Sequence, residues 1–436
     1  MTTHPSFPTT LCEANPLATA LRLPSGLVLH NRLAKSATSE ALADLHHAPT
    51  AALTRLYDHF AAGGAGMLIT GNVMLDARYL ERPGNVVVED DRQLGALTRW
   101  AEAANRHGTP LLMQLNHAGR QCNRMITSRP VAPSAGPAVD LLSAYARPRA
   151  LTPAEILDII ARFGRAAQIA ERAGFAGVQV DAAHGYLLSQ FLSPRTNTRS
   201  DAWGGSLANR ARALREAVRA VRANTSRSFS LAVKLNSADF QRGGFEEDEA
   251  LQVVRWLEEE QIDLLEISGG TYESPALLGM TESTRAREAY FLQFARRVRS
   301  VAKLPLMVTG GFRTRAVMEQ ALREGALDLV GLARPLLVEP DLPARMLTGQ
   351  CERALTLPPA NLPRSLSPLA EAAYYHVQIQ RLCRGRPTRP NLFVPAALVR
   401  YLTADLSRAA MRALRRSLHG ARLLPASCTQ LPRGAS

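Results

Sequence analysis

Three proton-handling side chains crowd the segment "GVQVDAAHGYLLSQFLSP" at residues 177–194: Asp181, His184 and Tyr186. A short apolar alternation leads into them and an apolar helix-like run leads away, so they stand at the end of a strand. Tyrosine and histidine can give a proton or a hydrogen bond to a polarised substrate, whereas ionised aspartate only accepts. The structural alternative is a capped turn with a packed histidine and a gap-filling tyrosine. Other strand-like runs close in the same manner: Ser39, then Gly71 and Asn72, Gln114 and His117, Lys234 and Asn236, and Ser268 to Gly270. Two more end in glycine, "TGGFRT" with Gly310 and Gly311 and "GLARP" with Gly331 and Arg334. Glycine N–H groups that approach closely, with an arginine fork beside them, suit a phosphate.

The elements that must carry these groups alternate strand and helix. Strands are expected at 33–37, 67–71, 111–116, 177–181, 230–236, 264–268, 305–309 and 329–332, after a short strand pair near 21–29. Helices are expected at 54–62, 93–107, 152–173, 209–224, 246–260, 288–300, 315–324 and 341–347, the third opened by the cap signature Thr152, Pro153, Glu155. Eight strand–helix units predict a (β/α)8 TIM barrel, with a doubly wound sheet as the alternative. Working residues at the ends of many strands fit the barrel, whose open rim is formed there. The loop 120–150 is long enough to cover that rim. The barrel is expected over residues 1–350. Residues 351–436 form a basic helical C-terminal extension, with helices at 366–384 and 392–418 and a disordered end from 421.

Composition narrows the function. No uncharged apolar run reaches the roughly 18 to 20 residues of a bilayer span, and the N-terminus lacks a signal-like pattern, so a cytoplasmic protein is expected. Cys12, Cys122, Cys351, Cys383 and Cys428 form no CxxC pair, which leaves no spelled-out zinc or iron–sulfur site and no metal is expected. The net charge of +14 invites nucleic acid, yet 14 arginines against Glu352, Glu371 and Asp405 lie from Arg345 onward. Only Lys35, Lys234 and Lys303 are lysines among 52 basic residues. A solvated helix face explains that distribution better than phosphate contacts, and nucleic acid is not the expected partner. A small-molecule substrate is, with a homo-oligomer possible.

The ordered set "NRLAKSATSE" (31–40), "GGAGMLITGN" (63–72), "QLNHAGRQ" (114–121), "AAHGYLLSQFLSP" (182–194), "RSDAWGGSLANR" (199–210), "KLNSADFQRGGF" (234–245), "TGGFRT" and "VGLARP" resembles the old yellow enzyme family of FMN-dependent NAD(P)H oxidoreductases. The resemblance covers about residues 15 to 345. It implies FMN as cofactor and NADH or NADPH as hydride donor. It also implies that Gln114 binds the polar edge of the isoalloxazine, that Lys234 places a cation near the ring end where reduction builds negative charge, and that Ser39 sits near a flavin carbonyl. Gly71, Gly310, Gly311, Gly331 and Arg334 complete the implied cofactor set.

In the family, strand 4 supplies two donors for a substrate oxygen and then a tyrosine acid. Here His184 matches the second donor and Tyr186 the acid, but Asp181 stands where the first donor belongs. Three readings follow: Asp181 orients His184 and favours its imidazolium form, Asp181 binds a substrate hydroxyl or amine, or the site has decayed. The leading function is reduction of electron-poor C=C bonds. The alternatives are a flavin-barrel dehydrogenase or demethylase acting on an amine or hydroxyl substrate, an RNA-modifying flavin barrel with Cys122 as nucleophile, and a flavin binder without turnover.

Overall fold

A computed structural model describes residues 15–141, 143–271, 288–355 and 367–421. Eight parallel strands form its centre: β1 (Leu33–Lys35), β2 (Met67–Ile69), β3 (Leu111–Asn116), β4 (Gly177–Ala182), β5 (Ser230–Asn236), β6 (Leu264–Ser268), β7 (Leu306–Thr309) and β8 (Leu329–Leu332). Each pairs with the next, and β8 pairs with β1 through Val330 and Leu33, so the sheet closes into a barrel. The doubly wound alternative would have left two open edges. Buried on both faces, the strands need apolar residues throughout, which explains the near-continuous runs in the sequence.

The helices are α1 (Ala51–Ala62), α2 (Leu94–Asn105), α3 (Pro153–Arg172), α4 (Leu187–Leu192), α5 (Leu207–Ala223), α6 (Glu247–Glu259), α7 (Leu292–Arg299), α8 (Arg315–Arg323) and α9 (Leu342–Leu347). The opening of α3 is the reciprocal capping box that its sequence spells: Thr152 accepts from Glu155 N, and Glu155 accepts from Thr152 N. Outward strand positions and inward helix faces share one large core that includes Leu68, Leu115, Val180, Val233 and Ile267.

Alternate strand residues point into the barrel, and their chemistry changes with height. Ala34, Met67, Leu112, Ala232, Leu264, Met307 and Leu329 fill the lower interior as a separate apolar cluster. The hairpin of Leu21–Arg22 with Val28–Leu29 closes that end with Leu23 and Leu29. Two residues further along the same strands come Gln114, Lys234, Glu266 and Thr309, all buried. The barrel is thus dry at its base and polar below its mouth.

The long loop 120–150 carries a small parallel pair, Val131–Ala132 with Arg149–Ala150. Beyond the barrel, α10 (Ser367–Leu382) and α11 (Val394–Ala421) pack on each other. Ile379, Leu382 and Cys383 belong to the barrel's own core, Arg55 Nε donates to Cys383 O at 2.9 Å, and Arg82 Nη2 reaches both oxygens of Asp405 at 2.9 Å. Of the segment expected to be disordered, residues 422–436 lie outside the described residues.

Candidate active site

Strand register assembles the first half of the site. Gln114 lies opposite Gln179, Asp181 opposite Lys234, and Lys234 opposite Glu266. Gln114 Nε2 donates to Gln179 Oε1 at 2.8 Å, and Gln179 Nε2 donates to Glu266 Oε2 at 2.7 Å. Lys234 Nζ stands 3.0 Å from Glu266 Oε1, a close ion pair rather than an aligned hydrogen bond. A carboxylate at the end of the row can only accept, so both glutamines must point their nitrogens toward it. Gln114 therefore keeps its carbonyl oxygen for something else. Lys234, expected as the cation near the ring end where reduction builds charge, is charge-matched by Glu266. Gln179 and Glu266 were legible in principle, since period-2 counting back from Asp181 and from Ser268 puts both on the inward face of their strands.

The second half surrounds Tyr186. Tyr186 is 5% exposed and accepts a hydrogen bond from Asn72 Nδ2 at 3.0 Å. Asp181 Oδ2 accepts from Asn116 Nδ2 at 3.1 Å, and Oδ1 from Ala183 N at 3.0 Å. Burial pushes its carboxyl up to about 7, against the pull of Lys234 and the Ala183 N–H. Of the three readings of Asp181, the one in which it orients His184 is not met, since the two side chains make no contact. His184 has a φ of 56°, and the following Gly185 one of 77°, a left-handed turn that swings the imidazole away to Ser268, with Nε2 and Oγ 2.8 Å apart. Burial, aided by the charge of Lys234, holds the ring far below its ordinary range, so it is neutral and not the imidazolium that the pairing would have favoured.

At the end of β1, Ser39 Oγ donates to Glu81 Oε2 at 2.7 Å, and Asn72 Nδ2 reaches the same carboxylate oxygen at 3.0 Å. Lys35, four residues before Ser39, turns outward into the helix layer instead. It is fully buried with Nζ 3.6 Å from Glu40 and 4.9 Å from the centre of the Phe60 ring. Glu40 also accepts from Tyr57 Oη at 2.7 Å, and Tyr57 Oη accepts from Gly71 N at 2.9 Å. A Cβ on Gly71 would fall 2.1 Å from Glu40, so glycine there makes room for this buried cluster. Gly331 has a similar reason, because a Cβ would lie 1.9 Å from Thr309 Oγ1. Cys122 is wholly buried among Met74, Leu80 and Ile126, which removes it as a rim nucleophile.

Gly310 and Gly311 end β7 with φ of 147° and 84°, and side chains at these places would run into Phe291 and Tyr290. The turn thus needs glycine on both counts. Arg334 follows β8 and is half-buried, paired with Glu371 of α10. The donor set formed by Gln114, Lys234, the glycine turn and Arg334 fits a ligand with a polar ring edge and a phosphate. Among the described residues no cluster of His, Cys, Asp and Glu could hold a metal ion.

The family model described as "NADH:flavin oxidoreductase / NADH oxidase family" matches residues 23–352. The chain belongs to that family. It is therefore an FMN-dependent NAD(P)H oxidoreductase of the ene-reductase-like kind. It is 41% identical over 352 residues to the NADH-dependent flavin oxidoreductase iliE of Hypocrea jecorina, covering 75% of this chain and 88% of that one. Among solved structures, the old yellow enzyme homologue from Zymomonas mobilis superimposes with a TM-score of 0.66 at 26% identity, over 78% of this chain's length and 94% of its own. A 2-naphthoyl-CoA reductase complex superimposes with a TM-score of 0.73 at 27% identity, over 77% of this chain but 52% of that longer one.

Proposed function

We propose that this oxidoreductase uses NADH or NADPH to reduce an electron-poor C=C bond in a small molecule, with Tyr186 supplying the proton. Bound FMN would carry the hydride from nicotinamide to substrate. Gln114 and Lys234 would hold its ring edge, the turn of Gly310 and Gly311 with Arg334 its phosphate, and Ser39, Gly71 and Gly331 would border it. The neutral His184, steadied by Ser268, is suited to donate a hydrogen bond to the substrate's electron-withdrawing oxygen.

The observation that carries this reading is the buried Tyr186 hydroxyl at the end of β4, held as an acceptor by Asn72 at 3.0 Å. With Asn72 as donor in that contact, the hydroxyl proton points elsewhere, and a phenol can release it as charge builds on a substrate carbon. Asp181 argues against the amine or hydroxyl substrate: it is 1% exposed and both its oxygens already accept. Replacing Tyr186 by Phe should slow reoxidation of the prereduced enzyme by 2-cyclohexen-1-one on the order of 100-fold. Unchanged reoxidation would remove Tyr186 as the acid.

NAD(P)H as donor is consistent with a cytoplasmic setting, and no helix among the described residues is long and apolar enough to cross a membrane. Val399, Leu402 and Leu406 are exposed on α11 and support self-association through that helix, which sedimentation velocity would detect or exclude.

A further inference from the structure

The contact between Asn72 and Tyr186 is the last member of a longer row. Asn72 follows β2, Asn116 ends β3 and Asp181 lies near the end of β4, so three adjacent strands contribute. Asn116 Nδ2 donates to Asp181 Oδ2 at 3.1 Å and to Asn72 Oδ1 at 2.8 Å. Asn72 Nδ2 in turn donates to Tyr186 Oη at 3.0 Å and to Glu81 Oε2 at 3.0 Å. An asparagine amide can be turned over with little change in shape, so something must decide which atom faces which neighbour. Here the carboxylate of Glu81 decides: it accepts from Asn72 Nδ2, which turns Asn72 Oδ1 toward Asn116, so Asn116 presents its nitrogen both to that oxygen and to Asp181 Oδ2. The cost is visible, because the buried Oδ1 of Asn116 has no hydrogen-bond partner among the described residues. An amide free to choose would not leave that oxygen orphaned in a low-dielectric interior.

We propose that Asn72 and Asn116 are positioning residues for Tyr186, oriented from Glu81 so that the phenol oxygen meets a donor. The inference rests on Tyr186 being the proton donor. In that step the Tyr186 O–H bond breaks, the electron pair on the substrate carbon forms the new C–H bond, and negative charge is left on Tyr186 Oη until water returns a proton. Asn72 stabilises that charge directly. Asp181 closes the far end of the row, where its Oδ2 accepts from Asn116.

Two readouts on the FMN-loaded enzyme test this. The first is the alkaline midpoint of Tyr186, followed by carbon-13 tyrosine NMR with the Tyr186→Phe protein as the assignment control. The second is reoxidation of prereduced enzyme by 2-cyclohexen-1-one in a stopped-flow instrument. Asn72→Leu should raise the midpoint by about one unit and slow reoxidation about tenfold, the two being the same free energy read twice. Asn116→Ala, which does not touch Tyr186, should move both in the same direction by less, and it serves where Asn72→Leu does not fold. An unchanged midpoint in the folded variants overturns the relay, whatever the rates do. A shifted midpoint together with a Tyr186→Phe protein that reoxidises normally leaves the relay standing and removes Tyr186 as the acid.

Discussion

Between β3 and β6 the polar groups of the site ride on strands: Gln114 meets Gln179 and Lys234 meets Glu266 on neighbouring strands, and Gln179 reaches past β5 to the same Glu266. At the β7–β8 corner the glycines sit in a turn, and the carboxylate that meets Arg334 comes from α10, 37 residues further along the chain. The first region is fixed by register, and no residue in it can shift without disturbing a strand pair. The second depends on how a C-terminal helix docks, so its charge balance is adjustable. Cofactor-ring chemistry requires the former kind of rigidity, and admitting a phosphate is compatible with the latter.

Removing one member of the strand-borne row should give the largest effect. Lys234→Met leaves Glu266 buried beside an apolar side chain and should cost about 3–5 kcal/mol in urea unfolding of the flavin-free protein. Adding Glu266→Gln should recover most of that loss. If the single variant is as stable as the parent, the row is not the rigid half.

Asp181 gives an intermediate effect with a defined sign. Its carboxyl is held at about 7 against an ordinary value of 3.8, so the folded protein keeps the proton where the unfolded chain has lost it. Stability contributed by this group therefore falls as pH rises from about 4 to 7. Asp181→Asn removes the titration, and its stability relative to the parent should climb by on the order of 4 kcal/mol between pH 4 and pH 8. A flat difference across that range would place the titration elsewhere.

The corner should respond least. Arg334→Ala removes a charged fork and should weaken FMN binding about tenfold, measured by fluorescence quenching. Glu371→Gln frees that fork from its partner and should tighten binding about threefold, the scale of a half-exposed ion pair. Were Glu371→Gln to weaken binding as Arg334→Ala does, the helix would be positioning the arginine, and the corner would be as built-in as the strand row.

This contrast also explains what the sequence made legible. Strand ends carry a period-2 signal, and Gln114 and Lys234 were readable from it because each follows a buried apolar run, whereas Tyr186 stands four residues past β4 at the start of α4 and was marked only by its chemistry beside His184. Glu266 carries the same signal inside "LLEIS" and was passed over because a lone acid in an apolar strand reads as an exception. The separation of His184 from Asp181 was not legible for a different reason: the left-handed φ that turns His184 toward Ser268 has no sequence mark in a non-glycine residue. The pairs Arg334 with Glu371 and Arg82 with Asp405 join positions 37 and 323 residues apart, a distance at which local pattern says nothing.

Near-complete use of arginine has a practical corollary for handling the protein. Lys35 and Lys234 are sealed inside the barrel wall and its interior, whereas Lys303 is exposed just before β7 begins, at the base opposite the mouth. Amine-directed coupling of the folded protein thus has, apart from a terminal amino group, one side-chain anchor. A resin or surface that captures primary amines would grip the molecule from below and leave its open rim facing the solution, an oriented immobilisation that this enzyme provides without engineering.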